Sequence, residues 1–184
     1  MDFQNLLNKW KIKCDINILL SMWNEKHRFF HTLDHLNDII DQINKDKSKY
    51  KNIEYEILII SALFHDCIYD PMKNDNEEKS ADFFEKCCSE KNENTKEIKN
   101  IILNTKYHKS DSFLSDCFNK YDMNIVERDF NELLKWEEGI HNEYKSYNEY
   151  KEKRLLFLES LIDKYPNNMD NILKLIDFIK KNYK

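Results

Sequence analysis

Apolar residues recur every three to four positions through most of the chain, with polar residues between them, the period of helices that turn one face to a core. On this pattern helices are expected at about residues 3–13, 16–25, 32–45, 53–67, 77–90, 94–108, 112–126, 130–146, 148–164 and 168–182. Asp111 and Asp129 stand before two of these starts as candidate caps, and Pro71 and Pro166 fall in connections. The polar stretches KDKSKYKN and SEKNENTK read as solvated turns between helices, too short for interdomain linkers. No alternating strand pattern competes and no internal repeat is evident. The expected fold is all-α, a helical bundle forming one domain over residues 1–184.

One segment departs from amphipathic spacing. Ile57 to Phe64 (ILIISALF) is apolar on every side, which predicts a central helix buried all round, and it ends in the adjacent pair His65 and Asp66. An ionised carboxylate at the end of a buried helix costs several kcal/mol unless a cation, a metal or a hydrogen-bond network compensates it. Taken alone, the pair reads first as a helix end with local hydrogen bonds. Other residues add to it. His31 and His35 are four apart, the spacing of one helical face, His108 ends the TKYH segment, and Asp122 lies in the apolar pattern YDMNIV.

Composition narrows the function. A single Gly and two Pro exclude a glycine-rich phosphate loop. A formal net charge of -5 and a pI near 5.7 provide no general attraction to nucleic acid or anionic membrane, which favours a small ligand. No apolar segment approaches the roughly 20 residues needed to span a bilayer, and MDFQNLLNKWKIKC lacks the layout of a secretory signal, so the cytosol is the expected location. Five cysteines, without CxxC spacing, read as reduced thiols, with Cys67 a small buried hydrophobe. Arginine occurs only at positions 28, 128 and 154 in a lysine-dominated chain.

The motifs RFFHTLDH, FHDCIYDP, DNEEKSA, TKYH, KYDMNIV, IHNEY and KRLLFL run in order from Arg28 to Leu158. This series resembles a small family of the HD superfamily of metal-dependent phosphohydrolases, whose members read RxYHNxxH, FHDxVYDP, DNEExSA, TxxH, DADLxIL, IRxEY and GRxxVL. FHDCIYDP followed by DNEEKSA carries most of the specificity. Thr32 stands for the usual Asn, Phe30 for Tyr, Lys120 for the first Asp of the DAD pattern, and His141 for Arg. The motif core covers about residues 28–158, with the C-terminal helices expected to pack on it.

The resemblance implies an HD-type bundle. By similarity to the metal site of cyclic nucleotide phosphodiesterases, His35, His65, Asp66 and Asp122 would hold a divalent ion (Mn, Fe, Co, Ni, Zn or Mg), and His31 would donate a proton to the leaving oxygen, with Asp66 bridging or accepting one. His108, Glu77 and Glu78 would serve a second metal or orient the ligands. Arg28, Arg154 and Tyr144 would contact a small phosphorylated substrate such as a nucleotide, although each arginine reads equally well as half of an internal ion pair. Three alternatives remain open at this point: an alarmone-type pyrophosphohydrolase, an HD-type di-iron oxygenase, and a non-catalytic metal- or nucleotide-binding module.

Overall fold

The computed structural model describes residues 2–144 and 147–183. Among these the fold is all-α, with no strand and one isolated antiparallel bridge between Ile12 and Cys88. The chain gathers into two compact units, Met1–Asp122 and Met123–Lys184.

The first unit contains α1 (Phe3–Lys9), α2 (Ile16–Trp23), α3 (Leu33–Lys45), α4 (Asn52–Phe64), α5 (Asn76–Cys87), α6 (Glu93–Thr105) and α7 (Phe113–Asp122). Helix α4 is its axis. From Ile57 to Phe64 every residue is buried, and α3, α5, α6 and α7 all pack against it. Burying each Leu or Ile side chain contributes about 1.5–3 kcal/mol, which offsets the backbone and rotamer entropy lost on ordering the helix. α3 buries Leu36, Ile39, Ile40 and Ile43, and α6 buries Ile98, Ile101 and Ile102, the three-to-four spacing of the sequence pattern.

Helix ends follow local chemistry. Asp15 caps α2 by accepting from the Asn17 amide at 2.8 Å, and Asn92 with Thr95 forms a reciprocal capping box on α6. Several expected ends fall short by two to four residues, three of them for a local reason. The helix expected over 3–13 stops at Lys9 because Lys11 takes a left-handed φ of 55° and Ile12 turns to pair with Cys88. The one expected over 94–108 stops at Thr105, short of the left-handed His108. The one expected over 112–126 breaks after Asp122 into a short 3₁₀ turn at Asn124–Glu127. Asp111 is not the cap of α7: the Ser112 hydroxyl accepts the Ser115 amide, and Asp111 instead accepts from Asn104.

The second unit contains α8 (Phe130–Tyr144), α9 (Tyr150–Ile162) and α10 (Met169–Asn182). Asp129 caps α8 through the Asn131 and Glu132 amides. Residues 145 and 146, the expected end of the eighth helix, lie outside the described residues. Arg154 is buried here: its Nε donates to Glu137 Oε2 at 2.6 Å, and its guanidinium lies 4.1 Å over the Trp136 ring. The Tyr150 hydroxyl donates to the other Glu137 oxygen at 2.6 Å. No described helix is long and apolar enough to cross a membrane.

Candidate metal centre

The C-terminal end of α4 delivers the His-Asp pair. His65 continues the helical backbone as its cap residue, its amide donating to Ser61 O, and its imidazole is fully buried. Nδ1 lies 3.0 Å from the Ala62 carbonyl, which can only accept, so Nδ1 carries the proton in the neutral ring and Nε2 presents a lone pair. Trp23 and Phe118 wedge the ring, at centroid distances of 5.2 and 5.4 Å, and Trp23 Nε1 donates to Leu63 O at 2.9 Å.

His65 Nε2 has no hydrogen-bond partner, yet it lies 3.4 Å from Asp66 Oδ2 and 3.6 Å from Asp122 Oδ1. Three groups able to donate electron pairs therefore face one another in a nearly water-free setting. His35, on the first turns of α3, adds a fourth: its Nε2 is 3.1 Å from Asp122 Oδ1. Donor atoms of His35, His65 and Asp66 all lie within 4.8 Å of one another. Asp122, the last residue of α7, closes the cluster, and His108 Nε2 reaches its other oxygen at 3.3 Å.

Two nitrogens and two carboxylates in this convergence have the donor chemistry of a divalent transition-metal site. The electrostatics point the same way. Burial works against a charge on His65, but Asp66 and Asp122 push its pKa up to about 9. Burial likewise opposes an ionised Asp122, but the imidazoles of His108, His35 and His65 gathered around it hold it well below the ordinary carboxylate range. The two carboxylates thus recruit positive charge, as a proton or as a cation.

His31 lies beside this cluster, in the bend before α3. The two histidines four apart do not share a helical face, because Thr32 caps α3 and the helix starts at Leu33. His31 reaches the cluster from the loop, with its Nε2 3.9 Å from Asp66 Oδ2, its ring 5.9 Å from His35 and 4.4 Å from Tyr69.

Arg28 is a correction to the sequence expectation. Its side chain is fully buried, and all five N–H bonds are engaged: Nε and Nη2 on Glu25 Oε2, Nη1 on the His31 and Asp66 carbonyls, and Nη2 on the Cys67 carbonyl. The fork that would have gripped phosphate instead fastens the His31 loop to the Asp66 turn. Arg154 and Tyr144 belong to the second unit, where Arg154 has its ion pair with Glu137 and the Tyr144 ring stacks on Tyr150 at 5.9 Å.

DNEEKSA has two purposes. Asn76 and Ser80 hold the turn after the pair: the Asp70 amide donates to Asn76 Oδ1 at 3.0 Å, Asn76 Nδ2 donates to Asp70 O, and the Ile68 amide donates to the Ser80 hydroxyl at 3.1 Å. Asn76 is a site-building residue missed in the sequence, although its motif was legible there. Glu77 is half-buried, and burial together with the Asp66 charge raises its pKa above the ordinary value. Glu78 is drawn away to Lys106 at 2.5 Å, which lowers its pKa. Cys67 is a buried thiol that burial pushes up to about 12, consistent with packing. No family model matches the chain, nor does any curated protein or solved structure.

Proposed function

We propose that the chain is a metal-dependent phosphohydrolase of the HD type, acting on a small phosphate ester or phosphoanhydride. The observation that carries this reading is the buried His65 Nε2, without a hydrogen-bond partner and facing two carboxylates. His35, His65, Asp66 and Asp122 would hold the ion. A divalent ion bound there supplies Lewis acidity toward a phosphoryl oxygen and a more acidic water.

The protein's own groups do the rest. Ala62 O fixes the His65 tautomer, and Arg28 holds the carbonyl of Asp66, so the two ligands keep their orientation. His108 steadies Asp122. His31, partly exposed and beside Asp66, is placed to protonate the departing oxygen through Nε2, a task suited to an imidazole near neutral pH. Free cysteines throughout fit work in the reducing cytosol.

The test is hydrolysis of a panel of phosphomonoesters, phosphodiesters and nucleotides with added Mn or Co. Wild type is expected to turn over at least one class, and His31→Ala to lose about 10²- to 10⁴-fold in kcat with metal content unchanged. A His31→Ala protein that loses its metal contradicts this division of roles. Tight metal binding without turnover of any phosphate supports a binding module instead.

A further inference from the structure

The loop that supplies His108 also presents an aromatic surface that the cluster does not use. Tyr107, the neighbour of His108, is 66% exposed, and the Nζ atoms of Lys106 and Lys109 lie 5.8 and 5.6 Å from its ring centroid. A lone exposed tyrosine needs no explanation. Here its position gives it one. Lys106 Nζ donates to Asn74 O and to Glu78, both at 2.5 Å, which ties this loop to the turn that follows the His-Asp pair.

The loop is held in shape. Asn119 Nδ2 donates to Lys109 O at 2.9 Å, the Lys109 amide donates to Asn104 O at 3.2 Å, and Asn104 Nδ2 reaches Asp111 at 2.7 Å. His108 adopts a left-handed φ of 47°, a conformation uncommon outside glycine that reverses the chain between adjacent residues. One side chain is thereby spent on Asp122 while its neighbour in the chain stands in solvent.

An aromatic face beside ammonium groups is the chemistry that accepts a base together with its phosphate: the ring stacks on any nucleobase, and the cations meet the anionic backbone. The geometry points to Tyr107 as a stacking platform for a nucleobase, so that the substrate is a nucleotide rather than a sugar or alkyl phosphate. The inference rests on the phosphohydrolase reading for the position of the phosphate, at the cluster of His35, His65, Asp66 and Asp122. Lys109, whose described side-chain contact is the Tyr107 ring, would neutralise charge between base and phosphate.

The test compares adenosine monophosphate with ribose 5-phosphate, which differ by the base alone, by isothermal titration calorimetry on Mn(II)-loaded protein. Wild type is expected to bind the nucleotide about tenfold more tightly, in the range of a single aromatic stack. Tyr107→Ala should bring the ratio of the two dissociation constants to about one, and Tyr107→Phe, which keeps the ring, should preserve it. Equal affinities in wild type, or an unchanged ratio in Tyr107→Ala, overturn the platform while binding of both phosphates leaves the metal-site reading standing. If neither ligand binds to folded, metal-loaded protein, the platform is overturned, while the phosphohydrolase reading stands or falls on the wider panel of phosphodiesters and anhydrides.

Discussion

Arg28 illustrates what a side chain does once its surroundings are known. Its sequence position suggests a fork toward phosphate, but its acceptors come from Glu25, His31, Asp66 and Cys67, and only the first two are near it in the chain. Nothing in the linear sequence brings the Asp66 and Cys67 carbonyls to it. Lysine has three donors and no planar fork, so Arg28→Lys leaves buried carbonyls unmet. The expected loss is about 2–4 kcal/mol in urea unfolding. A loss below about 1 kcal/mol would show that these carbonyls are satisfied without the guanidinium. His65 shows the converse: its burial at the end of α4 was legible because a polar pair terminates an apolar run, and that transition survives in one dimension.

Among the helices, their existence was legible and their ends were not. Apolar spacing reports which face packs, and the ten expected helices correspond to the ten α-helices of the described residues. Ends depend on single backbone angles and caps, as at Lys11 and His108, where a left-handed residue stops a helix that the apolar pattern would continue. Helix α3 makes the point at the site. Thr32 stands where the resembling family has Asn, and both residue types serve as N-caps; here the Thr32 hydroxyl accepts the Asp34 amide at 3.3 Å. The cap sets where α3 begins, leaving His31 in the loop and His35 on the helix. Thr32→Ala should therefore cost about 1 kcal/mol in urea unfolding, and Thr32→Asn should restore wild-type stability. Identical midpoints for Thr32→Ala and wild type would mean that the hydroxyl is not used as a cap.

At the scale of the whole molecule, every residue of the candidate centre comes from the Met1–Asp122 unit, where α4 delivers His65 and Asp66, α3 delivers His35, α7 delivers Asp122, and the loop after α6 delivers His108. Four separate segments converge on one point, and that convergence could be expected from the motif order but not measured until the helices were packed. The second unit contains Arg154 in a buried pair with Glu137, where the sequence suggests an acid such as Glu143. The central claim is that His35, His65, Asp66 and Asp122 form a metal centre. Elemental mass spectrometry on purified wild type and Asp66→Ala, both handled identically and loaded with Mn, Fe, Co, Ni and Zn in turn, tests it most directly. The expected result is a transition metal bound to wild type and lost from folded Asp66→Ala. Wild-type protein that stays metal-free after every loading would contradict it.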